Sequence, residues 1–353
     1  MTCNAGTQPK PCLVNVRTGH TYFWCSCGRS GAQPFCDGSH KGTDFTPVKF
    51  TAAATDEEIL FCGCKQTRTA PFCDGTHNQL LGGSPTDDPL SAINRDVPEV
   101  TTRDGARILL NGSCYVLSTG LASMLSRGGL RHCYLVSADL GALYQTQLLL
   151  EATEQPSPIF TFGSCEAILF IGAGRGTITI SGRHFPLEAS DGVFIRPSEA
   201  IQLTPGMGET LKVFALCHPF GDIHWLEQMR VNFDTCHERR IVSADAAQRI
   251  PMGPRYFQML VDKRIGCNRI AQFIGHIPLS KAAPHRHLYE ETFIVLSGEG
   301  YVWTEDRKAR VRSGDVIFLP RKQLHSVEAT STDGIDLVGV ICPGDNPSIN
   351  YYD

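Results

Sequence analysis

Charge of one sign and long apolar runs are both missing from this 353-residue chain. Its 32 Lys and Arg stand against 36 Asp and Glu, a net charge of −4. The basic footprint of a nucleic-acid-binding protein is therefore absent. No stretch reaches the roughly eighteen apolar residues that a membrane-spanning helix needs. The first residues, Met1-Thr2-Cys3-Asn4, lack the basic region and apolar run of a secretory signal. A reducing cytoplasm is expected, with neither nucleic acid nor membrane as partner. Charged residues are scarce at 19%, while Gly (34) and Pro (21) are plentiful, a balance that favours a turn-rich β protein over helical bundles. The length suffices for two or three domains with substantial cores.

Fifteen cysteines are present. Nine are scattered, mostly within apolar stretches such as Ala215-Leu216-Cys217 and Val340-Ile341-Cys342, where reduced buried thiols are the simpler expectation. The other six belong to two copies of one motif. The first reads Cys25-Ser26-Cys27 and then Pro34-Phe35-Cys36-Asp37-Gly38-Ser39-His40; the second reads Cys62-Gly63-Cys64 and then Pro71-Phe72-Cys73-Asp74-Gly75-Thr76-His77. Three thiolates and an imidazole at this spacing suit either zinc or an iron–sulfur cluster. The surrounding residues resemble the CDGSH (mitoNEET-like) iron–sulfur family, and Ser30 and Thr67 fall where that family places a small hydroxyl residue. The resemblance implies one [2Fe–2S] cluster per motif. Cys25 and Cys27 would bind one iron, with Cys36 and His40 on the other; Cys62, Cys64, Cys73 and His77 would repeat the arrangement. Exchanging a thiolate for a neutral imidazole raises a cluster's potential. Asp37 and Asp74 read as helix caps, and the tandem repeat suggests a pseudo-twofold pair within one chain.

After His77 a polar linker runs through Gly82-Gly83-Ser84-Pro85-Thr86-Asp87-Asp88-Pro89. Beyond it, short β-patterned runs recur at Tyr134-Leu135-Val136, Ala167-Ile168-Leu169-Phe170-Ile171, Thr177-Ile178-Thr179-Ile180 and Val193-Phe194-Ile195. A helical interlude is expected near His224–Val231. Strands then resume around Arg269–Ile277, Thr292–Leu296, Gly300–Thr304, Asp315–Leu319 and Leu337–Ile341. Ser190-Asp191-Gly192-Val193-Phe194-Ile195-Arg196-Pro197 parallels Ser313-Gly314-Asp315-Val316-Ile317-Phe318-Leu319-Pro320, pointing to duplicated barrels. The run Gly172-Ala173-Gly174-Arg175-Gly176 leads into a strand rather than a helix, which excludes a phosphate loop.

The second copy carries a ligand pattern. His285-Arg286-His287 is followed by Glu291, Gly298, Gly314, Pro320 and His325. Strand alternation puts 285, 287 and 291 on one face and prefers Glu291 over Glu290. These motifs resemble those of the cupin superfamily, although Lys322 stands where a glycine is usual. The fold expected is mainly β: a small α+β tandem CDGSH domain (1–82), a linker (83–99), a degenerate cupin barrel (100–225) and a metal-binding cupin barrel (226–353), the barrels being double-stranded β-helices or jelly rolls. His285, His287, Glu291 and His325 would hold one mononuclear Fe(II), other divalent metals being possible. In the first barrel Ile159, Thr161, Cys165 and Gln202 occupy the matching positions and form no ligand set. Tyr289, Phe293 and Gln323 are candidate pocket walls. His184, His218, His224, His237 and His276 read as surface or satisfied core residues.

Fusing one-electron clusters to a metal barrel favours a reaction that consumes outside electrons. The expectation is an iron-dependent oxygenase, with dioxygen and a small molecule as substrates and an external reductase or ferredoxin as donor. Its product would be a hydroxylated carbon or an oxidised nitrogen, including a nitrogen–nitrogen bond. The alternatives are a redox or iron sensor, a cluster-transfer protein with a ligand-binding cupin, or a non-redox cupin isomerase or hydrolase. A homodimer through barrel edges is also compatible.

Overall fold

The computed structural model describes residues 7–53, 57–83, 85–344 and 346–352; the N-terminal reading at Met1–Asn4 lies outside them. The first 80 or so residues form two small antiparallel ribbons. Cys12–Val16 pairs with Glu57–Phe61, and Thr21–Trp24 pairs with Val48–Thr51. Each ribbon joins one strand from each repeat, so the two copies are interlocked rather than side by side. An aromatic cluster of Tyr22, Phe35, Phe50, Phe61 and Phe72 fills the space between them. Trp24 Nε1 donates to Cys62 O at 2.8 Å, tying the first copy to the second cluster loop.

Two barrels follow, each made of a large and a small sheet. In the first, Glu166–Ala173, Thr210–His218, Thr146–Thr153 and Leu130–Val136 run through the large sheet, and Gly176–Ile180 and Ile201–Pro205 lead the small one. In the second, Glu290–Ser297, Ile335–Cys342, Ala271–Ile277 and Arg255–Val261 take the equivalent places in the large sheet. The expected duplication is thus visible strand by strand. Gly172–Gly176 lies at the turn from the large sheet to the small one, with Gly174 at φ 79°.

The sheets cut across the expected boundaries. Arg107–Leu109 and Tyr115–Ser118 precede the first barrel, yet extend the large sheet of the second by pairing with Asp315–Leu319. Thr86–Asp87, inside the expected linker, pairs with Ser280–Ala282. Ile241–Val242 instead stays with the first barrel through Gly192–Ile195. Such exchange covers sheet edges that would otherwise be left open. The expected helix near 224–231 is also replaced: His224–Leu226 is a strand on Ile159–Thr161. Here the unpaired edge of that strand outweighs a short helical period, because its buried backbone groups need partners.

Three apolar cores result. One fills the first barrel (Phe160, Phe162, Ile178, Leu203), one the second (Phe273, Val302, Ile317, Leu319), and a third lies between the large sheets (Tyr115, Leu149, Phe170, Phe318, Val340). Strands such as Thr146–Thr153 serve two cores at once, which is why they show a continuous apolar run instead of alternation.

The stretch between the barrels is pinned by Arg240. Its guanidinium is 1% exposed and bonds Glu199, 2% exposed, in fork-to-fork fashion at 2.7 and 2.7 Å. Removing one member leaves a buried charge uncompensated, at a cost of about 3–5 kcal/mol. Glu199→Ala should therefore lower the melting temperature measurably by circular dichroism. Adding Arg240→Met to it should recover part of the loss.

Candidate functional site

Three histidines and a carboxylate meet inside the second barrel. The ligand atoms of His285, His287 and His325 lie within 4.8 Å of one another. Glu291 Oε2 lies 3.2 Å from His287 Nε2 and 3.9 Å from His325 Nε2. The backbones of His285 and His325 bond each other in both directions, at 3.0 and 3.1 Å, and this holds two of the rings together across the loops. Each imidazole is turned by its Nδ1. His285 donates to Ala283 O at 2.7 Å, His325 to Gln323 O at 2.9 Å, and His287 lies 3.5 Å from Ile349 O. A carbonyl only accepts, so Nδ1 carries the proton and Nε2 keeps its lone pair for the centre.

The electrostatics agree with that tautomer. Burial, aided by neighbouring His287, pushes the His285 pKa down to about 3. Burial and His285 drive that of His325 well below the usual imidazole value. Both rings are neutral near pH 7. Glu291 is 2% exposed, and its Oε2 has no hydrogen-bond partner. Such a group is costly to bury unless something cationic meets it. Imidazole nitrogens from three histidines and one orphaned carboxylate oxygen suit a divalent metal.

Glu290, one residue earlier, points the other way. It is fully buried between the barrels and accepts from Leu143 N at 2.5 Å and Tyr144 N at 3.2 Å. Lys322 sits at φ 65°, the left-handed region where glycine costs nothing. Its Nζ bonds Glu58 of the N-terminal domain at 2.5 Å, an interaction that a glycine there could not make.

A cavity of about 110 Å³ opens beside the histidines, walled by Phe257, Phe273, Phe293 and Leu337. Of the expected wall residues only Phe293 lines it. Tyr289 instead stacks flat on the outer side of His287, at 4.5 Å and 13°. Gln323 turns away to Glu305 Oε2 at 2.7 Å. Both lie outside regular strands, where the two-residue period no longer assigns a face. Two cavity residues escaped sequence reasoning, Arg255 and Asn350. The first stands at the start of a strand whose register is not readable from sequence, and the second carries no motif at all.

In the first barrel Thr161 Oγ1 accepts from Gly163 N, Cys165 Sγ faces Phe220 O, and Gln202 Nε2 donates to Ser157 O. Ile159 pairs with Leu226. The four do not gather around a common point. His184, His218, His237 and His276 all have partners; His276 also borders the second barrel's cavity.

The N-terminal motifs present their ligands in pairs. Cys25 and Cys27 sulfurs are 3.6 Å apart, and Cys36 Sγ lies 3.1 Å from His40 Nδ1; the second copy repeats this at 3.5 Å (Cys62, Cys64) and 3.4 Å (Cys73, His77). Neither set of four gathers three of its ligand atoms within 4.8 Å. A tetrahedral zinc, with bonds near ~2.3 Å, would gather them, so the paired arrangement suits two irons better. Backbone N–H groups of Arg29, Gly38 and Lys65 point at Cys27, Cys36 and Cys62 sulfurs. Sharing a proton with Cys64 pulls the Cys62 pKa down to about 6 against its burial and raises that of Cys64.

Asp37 and Asp74 act differently from the expected helix caps. Their Oδ2 atoms accept from Gly31 N and Arg68 N, while Oδ1 accepts from Ser39 N and Thr76 N. They close the cluster loop from within. Only the second copy continues into a helix, Thr76–Leu80, whose cap is Gly75 with no side-chain bond. Ser30 and Thr67 hydroxyls donate to Phe35 O and Phe72 O.

The copies differ in surroundings. His40 is half-buried, but His77 is 1% exposed. Cys73 packs with Leu288, Ile349 and Tyr351. Asn78 Nδ2 donates to Ser348 O at 2.6 Å, and a side chain at Gly75 would collide with Ser348 Oγ. The same C-terminal segment bonds Arg286 through Tyr351, N to O in both directions at 3.0 and 3.1 Å. Residues 346–351 thus lie between the second motif and the His285–His287 loop.

Residues 8–41 match the family described as iron-binding zinc finger, CDGSH type, and residues 277–341 match the cupin domain family. CDGSH iron-sulfur domain-containing protein 3, mitochondrial, from Homo sapiens is 53% identical over 47 residues, 13% of this chain and 37% of that protein. An uncharacterized protein of Aquifex aeolicus is 36% identical over 63 residues, 18% of this chain and 51% of its own length. The chain therefore spans only about a third to a half of the length of these relatives. Among solved structures, E. coli Ylba aligns over 70% of this chain and 96% of its own, with TM-score 0.53 and 17% identity. Lactobacillus farciminis oxalate decarboxylase covers 71% and 89% at TM-score 0.52 and 12% identity. Procruciferin, an 11S globulin of Brassica napus, covers 65% and 84% at TM-score 0.55 and 12% identity. At these identities the likeness is one of fold. The chain is mainly β, with an N-terminal CDGSH domain, which implies an iron–sulfur cluster, and cupin-fold barrels behind it, which suggest a metal ion. No helix among the described residues is long and apolar enough to cross a membrane.

Adjacent carboxylates give a direct test of the centre. Glu291→Gln should lower retained metal by about tenfold or more after dialysis against a weak chelator. Glu290→Gln should leave the metal content intact while lowering thermal stability, with metal analysis and calorimetry as the readouts.

Proposed function

We propose that this CDGSH–cupin fusion is an iron-dependent oxygenase in which two [2Fe–2S] clusters feed a mononuclear centre in the second barrel. One observation carries the reading: Ile349 packs against Cys73 while its carbonyl faces His287 Nδ1 at 3.5 Å. A cluster ligand and a barrel ligand are therefore separated by a single residue. An independent electron carrier fused for convenience would have no reason to dock at that loop.

His285, His287, Glu291 and His325 would hold the iron, and iron in that donor set supplies dioxygen activation. The chain's own contribution is to aim three imidazoles at one point and to present a carboxylate oxygen with no hydrogen-bond partner. The apolar walls of the cavity exclude bulk water from the reacting centre. The second motif, buried against residues 346–351, is the inner cluster site. The first, with His40 half-exposed, is the one an external reductase or ferredoxin can approach. Putting one oxygen atom into a substrate and reducing the other to water needs two outside electrons, and two one-electron clusters can hold that number. The free thiols throughout the described chain suit a reducing compartment. The product is a hydroxylated carbon or an oxidised nitrogen, including a nitrogen–nitrogen bond.

The half-exposed His40 also favours a second reading, donation of the outer cluster to an acceptor protein. Mixing holoprotein with an apo-ferredoxin separates the two readings, since an oxygenase keeps both clusters through the incubation.

Protein purified without oxygen should contain about five irons and about four acid-labile sulfides per chain. Oxygen uptake should require added reductant and should fall at least ~100-fold in His287→Ala with the cluster absorbance unchanged. Uptake that persists in His287→Ala, or that needs no reductant in cluster-free protein, would falsify the scheme.

A further inference from the structure

One cationic group in the cavity has no role in holding a metal. Arg255 opens the strand Arg255–Val261 and lines the same space as the three histidines. Its Nε is buried without a hydrogen-bond partner, and its one side-chain bond is a long contact from Nη2 to Ser280 Oγ at 3.5 Å. No acidic side chain among the described residues forms an ion pair with it. The neighbouring cation, Lys281, is by contrast neutralised by Asp87 at 2.5 Å. Glu291, the acidic group of the cavity, lies against His287 and His325.

A partly buried guanidinium with no ion pair among the described residues is a standing cost. Burial pulls the Arg255 pKa down, and only the Tyr352 phenol acts against this. A guanidinium remains charged throughout the usable pH range, so the cost cannot be relieved by loss of a proton. The missing partner is an anion. The planar fork of arginine matches a carboxylate through two parallel N–H···O bonds. Asn350, from the C-terminal segment, adds a buried side-chain oxygen with no partner. The remaining surface is apolar, with Phe257, Phe273, Phe293, Ile277, Val327 and Leu337 prominent.

Size narrows the class further. A cavity of about 110 Å³ suits a small ligand, and its apolar walls suit a hydrocarbon chain.

We propose that the substrate is a small aliphatic monocarboxylic acid, bound with its carboxylate on Arg255 and its apolar chain against the phenylalanine wall. This rests on the reading of the cavity as the substrate site. Arg255 binds and orients; it does not hold the metal. The carboxylate would sit at the Arg255 end, leaving the carbon chain to extend along the apolar wall.

The test is calorimetric titration of the as-purified holoprotein with butyrate and with its neutral counterpart butyramide. Butyrate should bind saturably and butyramide at least tenfold more weakly. Arg255→Leu should weaken butyrate at least tenfold without changing metal content, and Arg255→Lys should keep part of the affinity. Absence of butyrate binding, equal affinity for the amide, or full affinity in Arg255→Leu each overturns the assignment. Should Arg255→Leu fail to fold, phenylglyoxal modification of the wild type, mapped by mass spectrometry, replaces it. Butyrate but not butyramide should protect Arg255, and lack of protection overturns the assignment equally. Binding is read without turnover, so a failed carboxylate assignment is distinct from a failed oxygenase reading, which shows as intact binding without reductant-dependent oxygen uptake.

Discussion

The two-residue alternation of Glu290–Ser297 is the constraint on which the rest of this molecule depends. Its odd positions, Glu291, Phe293 and Val295, face the second barrel's interior, and its even positions, Glu290, Thr292 and Ile294, face the first barrel. One strand thereby carries a ligand-competent carboxylate on one side and the polar lock between the barrels on the other. A one-residue slip would exchange them, placing the unpaired oxygen of Glu291 against Leu143 and Tyr144 and emptying the centre of its carboxylate. Register here is specified by chemistry on both faces at once.

The barrels have diverged around this shared plan. Both keep the sheet order and the turn glycines, but the first has filled its interior with Phe160, Phe162 and Leu203. The second keeps an opening beside four polar groups. Packing density explains the difference in role: a filled barrel is a rigid wall, and the large sheet of the first barrel backs the strand that carries Glu291. Strand exchange at Arg107–Leu109, Tyr115–Ser118 and Ile241–Val242 locks the two together. The second barrel is assembled from strands on both sides of the first in sequence.

The N-terminal domain is joined to the centre by short, specific contacts rather than by a broad apolar face. Lys322 and Arg321 meet Glu58, Asn78 meets Ser348, and Cys73 meets Ile349. The ion pair of Lys322 with Glu58 offsets part of the cost of its left-handed backbone and fixes the orientation of the N-terminal domain.

Several features were legible from residues alone: the tandem cluster motifs, the duplicated barrels and the preference for Glu291 over Glu290. Each rests on a local rule, either fixed ligand spacing or the period of a strand, and local rules survive any tertiary arrangement. The helix assigned near His224 failed because an unpaired sheet edge recruited that segment. Tyr289 and Gln323 were misplaced because parity ends where a strand ends. Asp37 and Asp74 were read as caps, yet their second oxygen reaches back across the loop to Gly31 and Arg68. Residue chemistry and spacing mark out candidate ligands for a metal and for iron–sulfur clusters, because both are written locally in the chain. Packing in three dimensions sets Arg255 unpaired among the described residues of the same cavity, Ile349 between a cluster motif and a metal loop, and strands from before the first barrel in the second. Those relations join residues up to hundreds of positions apart, and they are set by which surfaces pack together, a property no local pattern encodes.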